Sequence, residues 1–233
     1  MSAAVAPEPT IQIQELRFRY RGGEFALSIP ELRVEPRERV AVIGPSGSGK
    51  TTLLHLVAGI ALPDAGRIRT AGADVESLDD GARRAFRVRR VGLVFQEFEL
   101  LDYLSVLENV LIPYRMHPAL RLDGEVRERA HDLAAQVGIA DKLSRLPGAL
   151  SHGERQRVAV CRALVTHPDV VLADEPTGNL DPANRDRVLD ILLDCVSKTQ
   201  ATLLTVTHDR SVLARFDRVL DFAALQAGGP STP

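Results

Sequence analysis

Tryptophan is absent from the sequence, and aromatic residues of all kinds make up only 4% of its 233 residues. A core built from this chain must therefore rest on Leu, Val, Ile and Ala, and each aromatic that does occur is worth placing. Cysteine is equally scarce. Cys161 and Cys195 are the only two, and both fall in helix-period apolar stretches, so they read as inert buried thiols rather than a disulfide, which suits a reducing compartment. No run approaches the roughly 18 uninterrupted apolar residues of a membrane span. The most apolar stretch, residues 53–62, is interrupted by His55 and Gly59. Residues 1–10 lack the basic and apolar regions of a secretory signal and read as a disordered tail. The Gly/Pro/Ser-rich residues 227–233 read as a loose one. A formal net charge of −2 exerts no global pull on nucleic acid. These absences imply a soluble cytosolic chain with no nucleic-acid partner, whose contact with a membrane runs through another protein.

The length suits one domain carrying an inserted subdomain. Short apolar runs at 11–20, 25–29, 39–43, 67–71, 91–95, 170–173, 202–206 and near Val219 read as strands. Residues 21–24 read as a hairpin turn. Helical patterns cover 52–58, 79–87, 151–165, 183–197 and a short stretch near Ser211. Residues 104–146 carry helix-period apolar positions with no convincing strand, so an inserted helical subdomain is expected over about 97–165, within a domain spanning 11–226. Strands alternating with helices imply an α/β fold with a largely parallel sheet covered on both faces, preceded by an antiparallel β subdomain.

The most informative stretch is Gly44-Pro45-Ser46-Gly47-Ser48-Gly49-Lys50-Thr51. It matches a phosphate-binding loop and sits between a buried strand and a helix, as that loop requires. The glycines let successive backbone N–H groups turn inward at phosphate oxygens, beside the positive end of the helix. Lys50 is placed to reach the β- and γ-phosphates and the Thr51 hydroxyl to ligate Mg²⁺. The candidate phosphate-binding residues are thus Gly44, Ser46, Gly47, Ser48, Gly49, Lys50, Thr51 and Thr52, and the implied ligand is a nucleoside triphosphate. A second site is the run 171–176, where buried apolar residues end in Asp174 and Glu175. A carboxylate at the C-terminal end of a parallel strand lies where α/β sheets bind ligands. Asp174 fits a Mg²⁺ site and Glu175 the activation of an attacking water.

A third pattern is Leu150-Ser151-His152-Gly153-Glu154, opening a helix with Ser151 as N-cap and Glu154 three residues on. Loop, signature and acidic strand together, in this order, resemble the ATP-binding-cassette (ABC) ATPases, over about residues 11–222. That resemblance implies the phosphate-loop cassette fold, ATP and Mg²⁺ as ligands, and ATP hydrolysis. It assigns Tyr20 to stacking on adenine, and Gln96 to Mg²⁺, the attacking water and the link to a membrane partner. It assigns His208 to the γ-phosphate, and the segment containing Asn179, Leu180 and Asp181 to the facing subunit. Ser151 and Gly153 would touch the nucleotide held by a second copy in a head-to-tail homodimer. A transmembrane permease would dock near Gln96 and residues 100–103.

Two departures stand out. His152 replaces a signature glycine, which would cost on the order of 1 kcal/mol if that position required positive φ. Glu154 replaces a glutamine, and is expected to turn back to the Ser151 N–H rather than face phosphate. The sequence around Leu172–Asp181, the signature variant and Val106-Leu107-Glu108-Asn109-Val110 resemble the lipoprotein-releasing and macrolide-export ABC ATPases, a group that includes a cell-division ATPase. The alternatives are a low-turnover regulatory cassette and a cassette acting on nucleic acid. Arg83, Arg84, Arg87, Arg89 and Arg90 read as a solvated helix face offset by Glu76, Asp79 and Asp80.

Overall fold

Alternation within single strands divides the interior into two cores. The computed structural model describes residues 8–22, 25–178 and 180–228. Its elements are β1 (Ile11–Arg19), β2 (Ala26–Val34), β3 (Arg39–Ile43), α1 (Lys50–Val57), β4 (Ala65–Thr70), the short β5 (Ala73–Asp74), α2 (Asp80–Arg90), β6 (Val91–Val94), α3 (Val106–Met116), α4 (Gly124–Gln136), α5 (His152–Leu164), β7 (Val170–Asp174), α6 (Pro182–Thr199), β8 (Thr202–Thr207), β9 (Arg218–Asp221) and α7 (Phe222–Ala227). An antiparallel sheet runs β2-β1-β4-β5, and an all-parallel sheet runs β6-β7-β8-β3-β9.

Successive side chains of a strand face opposite ways. Val40 and Val42 of β3, Val170 and Leu172 of β7, and Leu204 and Val206 of β8 join a core with the antiparallel sheet and α1. Ala41, Val171, Ala173 and Leu203 from the same strands join a second core with α3, α4, α5 and α6. Strands apolar on both faces belong in a parallel sheet covered on both sides. Between β6 and β7 lie α3, α4 and α5, with 3-10 turns at Ala140–Lys142 and Pro147–Ala149.

The helix starts follow from capping chemistry. Ser151 caps α5 and Glu154 returns to the Ser151 N–H at 2.8 Å, the expected reciprocal pair. A second capping box opens α3, where the Ser105 side chain accepts from the Glu108 N–H and Glu108 accepts from the Ser105 N–H. Asn109, fully buried, accepts from the Leu101 N–H at 2.8 Å and donates to the carbonyls of Leu101, Leu104 and Ser105. The motif at 106–110 therefore has a physical use: it ties the 101–105 loop to the start of α3.

Elsewhere the structure departs from the sequence reading. β2 extends to Val34, five residues past the expected end, because Leu32 and Val34 continue the buried alternation and Pro30 sits in the strand without breaking it. The expected helix near Ser211 is a 3-10 turn at Arg210–Arg215. Helix α7 has no counterpart in the sequence reading; Asp221 caps it and Phe222 is fully buried. Of the expected hairpin turn, Arg21 and Gly22 lie in a turn, while Gly23 and Glu24 fall outside the described residues.

The arginine cluster on α2 is more committed than a solvated face. Arg83 and Arg84 pair with Asp80, Arg87 donates to the Gly59 carbonyl, Arg89 to the Ala119 carbonyl, and Arg90 pairs with Asp169. Asp79 instead caps α2, and Glu76 accepts from the Ile68 N–H.

Candidate active site

Parallel strands end together at one edge of the sheet, and that register assembles the site. Ile43 pairs with Thr207, and Asp174 with Val206. The loop after β3, the acidic pair at the end of β7 and His208 after β8 thus emerge side by side, where ligands bind in open α/β sheets. They line a cleft of about 530 Å³ with Tyr20, Phe25, Ser46, Gly47, Gly49, Lys50, Thr51, Thr52 and Gln96.

Residues 44–49 wrap the start of α1. Gly47 and Gly49 have φ of +76° and +107°, conformations open to glycine and costly for other residues. A Cβ on Gly49 would lie 2.5 Å from the Phe25 ring, so the loop approaches that ring more closely than any side chain there would allow. The Lys50 ammonium donates to the carbonyls of Gly44 and Pro45, each at 2.8 Å. An ammonium has three donors, so one remains for an anion entering the loop. The Ser48 hydroxyl oxygen is buried without a hydrogen-bond partner among the described residues. A cationic head, an unspent hydroxyl and a ring of backbone N–H groups at a helix start fit phosphate.

The acidic pair divides into two environments. Asp174 is half-buried; burial raises its pKa above the usual carboxylate range, a hydrogen bond from Thr51 opposes the shift, and the adjacent Glu175 charge adds to it. A carboxylate held in this way, next to a hydroxyl, suits a divalent cation that would restore its charge. Among the described residues no cluster of three or more His, Cys, Asp or Glu could form a self-sufficient metal cage.

Glu175 adopts φ +45°, a left-handed backbone that turns its side chain out of the ladder. Both carboxylate oxygens are held: Oε2 accepts from the Thr207 hydroxyl at 3.1 Å and Oε1 contacts His208 Nδ1 at 2.8 Å. An ionised carboxylate only accepts, so His208 carries its proton on Nδ1.

Tyr20 stands 45% exposed at the mouth, with its hydroxyl 3.2 Å from that of Thr52. Its ring leans on Phe25, centroids 5.9 Å apart. Phe25 lies outside the candidate residues named from sequence. Its signal was its scarcity, as one of ten Phe, Tyr or Trp residues placed just after the turn that Tyr20 precedes.

Gly44 and Ser48 belong to the loop without lining the cleft, and three candidates lie away from both: the exposed Ser151 and the buried Gly153 at the start of α5, and Asp181 at the start of α6. The two helix starts meet, since a Cβ on Gly153 would lie 3.4 Å from Asn184 Oδ1, and Asp181 accepts from the Asn184 N–H. His152 has no positive φ, so the expected backbone penalty does not arise. Asn179 falls outside the described residues.

Both cysteines are buried and free. Burial pushes the Cys195 thiol up to about 11 and the Cys161 thiol higher still, so neither is a nucleophile at neutral pH.

Comparison with known proteins agrees with this geometry. A family model described as ABC transporter matches residues 27–178. The lipoprotein-releasing system ATP-binding protein LolD of Ruegeria pomeroyi is 44% identical over 217 residues, covering 91% of this chain and 94% of that protein. An ABC transporter ATP-binding protein of Mycobacterium tuberculosis is 41% identical over 224 residues, covering 95% and 88%. Among solved structures, a dimeric ATP-binding cassette in a post-hydrolysis state with ADP and Pi superposes with a TM-score of 0.80 at 30% identity, covering 91% of this chain and 93% of that one. The cbiO1 protein of Clostridium perfringens, part of an ABC transporter complex, gives 0.82 at 27% identity, covering 92% and 84%. The cleft, its phosphate loop and these likenesses agree, and the chain belongs to the ABC transporter family as an ATP-binding, ATP-hydrolysing subunit.

Proposed function

We propose that this chain is the cytoplasmic ATPase of a lipoprotein-release type exporter, working as a head-to-tail homodimer on the inner face of the membrane. The relatives named for lipoprotein release support the type. The observation that carries the dimer is the division of the site. Lys50, Thr51, Asp174, Glu175, Gln96 and His208 converge on one cleft, while Ser151 stands exposed outside it, next to the buried Gly153. A second copy in the symmetric arrangement brings its Ser151 to the open side of each cleft and makes two equal sites.

In each site Tyr20, backed by Phe25, stacks on adenine, and residues 44–52 hold the phosphates. Thr51, Asp174 and Gln96 would hold Mg²⁺, which would supply charge neutralisation to the bound phosphates. Glu175 takes a proton from water as the water oxygen bonds to the γ-phosphorus and the bond to the bridging oxygen breaks. His208, held by Glu175 through Nδ1, stands beside the γ-phosphate. Lys50 and the loop N–H groups stabilise the developing charge.

The permease, a four-span protein with a large extracytoplasmic domain, docks in a groove of about 550 Å³. Leu93, Phe95, Leu101, Ile112 and Met116 give it an apolar floor, and Arg84, Arg87, Glu99 and Arg162 a charged rim. Met116 is 73% exposed there, an unbranched thioether suited to an apolar partner helix. Among the described residues no helix is long and apolar enough to cross a membrane, so anchoring falls to that partner. Met116→Glu, or charge reversal at Glu97 and Asp102, should reduce recovery of the permease encoded by a neighbouring reading frame on pull-down, while sparing ATPase activity of the chain alone. Undiminished recovery in all three variants would place the contact elsewhere.

A further inference from the structure

The four residues that follow β6 and its Phe95 touch three different places. Gln96 lines the nucleotide cleft. Phe98 sets its ring against the His152 imidazole, centroids 5.8 Å apart and planes at 72°, an edge-to-face contact. The Phe98 and Glu99 carbonyls both accept from the Arg162 guanidinium. Arg162 and Glu99 in turn line the apolar groove.

Phe98 and Glu99 hold φ of +45° and +51°. Non-glycine residues keep such a backbone only where their surroundings over-determine it. Here the surroundings are two side chains of one helix: His152 at the first residue of α5, and Arg162 in its last turn. The segment is clamped along α5, and α5 carries Ser151 at its N-cap. The glycine that the family resemblance leads one to expect at position 152 has no side chain with which to make the ring contact.

We propose that His152 is a positioning residue: its imidazole, seated on Phe98, fixes the start of α5 relative to the segment after Gln96 and so places Ser151 for the opposing nucleotide. This rests on the reading of Ser151 as a contact to that nucleotide. The pair supplies a direct mechanical path by which a shift at Gln96 or in the groove displaces the signature serine. His152 forms no part of the cleft that holds this chain's own nucleotide, so its loss should appear in turnover and not in the first binding step.

The test uses the full-length chain with Phe98→Ala, His152→Ala, the double variant, and His152→Phe, which restores an aromatic edge contact. Binding of a fluorescent ATP analogue to dilute protein, steady-state ATPase kinetics and circular dichroism are measured on each. Each single variant should lower kcat/KM by roughly 2- to 10-fold, the range expected of an aromatic pair. The double should fall no lower than the worse single, because the two side chains act as one contact. His152→Phe should recover most of the loss, and analogue affinity should stay within about 2-fold throughout. If Phe98→Ala does not fold, Phe98→Leu keeps the apolar volume without the ring and should behave as the alanine variant was expected to. Additive losses in the double, wild-type turnover in His152→Ala, or no recovery in His152→Phe would each overturn the proposal. Ser151→Ala, run beside them, separates the two ideas. If it leaves turnover intact, the reading of Ser151 fails; if it lowers turnover while the pair variants do not, only the positioning role fails.

Discussion

Asn109 offers a sharp test of how the helical segment is held, because one buried amide does four jobs. It accepts from the Leu101 N–H and donates to the carbonyls of Leu101, Leu104 and Ser105, with distances of 2.8, 3.0, 3.0 and 3.1 Å. Asn109→Leu keeps the volume and removes every one of these bonds. The Ser105 carbonyl retains the backbone bond from the Asn109 N–H, so its loss is small. The Leu101 carbonyl likewise keeps the bond from the Leu104 N–H, but the Leu101 N–H and the Leu104 carbonyl lose their partner, and an unsatisfied buried group costs about 1–3 kcal/mol. The expected destabilisation is therefore on the order of 3 kcal/mol, or about 1–2 M in the urea midpoint at an ordinary m-value. Asn109→Asp discriminates further. It preserves the acceptor for Leu101 but turns a carboxylate toward three carbonyls, so the folded state favours the protonated acid and raises its pKa. The penalty is then absent below the unfolded value of about 3.9, grows as pH rises through the interval up to the folded pKa, and stays constant above it. Urea unfolding followed by circular dichroism at pH 7 and near pH 4 reads both effects. A loss below about 1 kcal/mol for Asn109→Leu, or a pH-independent deficit for Asn109→Asp, would refute the reasoning.

Two further outcomes follow from the cleft. Lys50→Ala should weaken binding of a fluorescent ATP analogue by roughly 10- to 100-fold with an unchanged far-UV spectrum, as befits the loss of a charge-assisted bond; near wild-type affinity in the folded variant would remove Lys50 from the phosphates. Burial raises the Asp174 pKa, so protons compete with Mg²⁺ there. In the presence of nucleotide the apparent Mg²⁺ affinity should fall as pH drops toward and below that raised pKa, and Asp174→Asn should abolish this part of the pH dependence in calorimetric titrations.

What could be read from sequence was local. The phosphate loop, the capping box at Ser151 and Glu154, and the buried strand at 39–43 each declare themselves within about ten residues, because turn chemistry, capping and period-two burial are short-range. Glu154 turned back on Ser151 for the same reason. What escaped was long-range. Phe25 reaches the phosphate loop across the hairpin, Phe222 seats α7 beneath the same loop, and Asn109 holds a loop that begins eight residues earlier. The arginines of α2 show both sides: Arg83 and Arg84 meet the expected Asp80, four residues away or fewer, while Arg87, Arg89 and Arg90 find Gly59, Ala119 and Asp169, which only the folded chain brings near. The division of the site between the cleft and the start of α5 was visible in sequence only through resemblance, since nothing local tells Ser151 which nucleotide it serves.

The account turns on Glu175 as the base of a site completed by a second copy. Glu175→Gln preserves the shape and contact with both neighbours, its amide oxygen accepting from His208 and its amide N–H donating to the Thr207 hydroxyl, while removing the base and one negative charge. ATP should still bind through Lys50 and Thr51, hydrolysis should fall by roughly two to four orders of magnitude, and the undischarged dimer should accumulate. Sedimentation of this variant with and without saturating ATP and Mg²⁺ is the most direct measurement. An ATP-dependent shift from monomer to dimer at micromolar protein, abolished by adding Ser151→Ala, is the predicted result; a folded variant that binds ATP and stays monomeric would contradict the account.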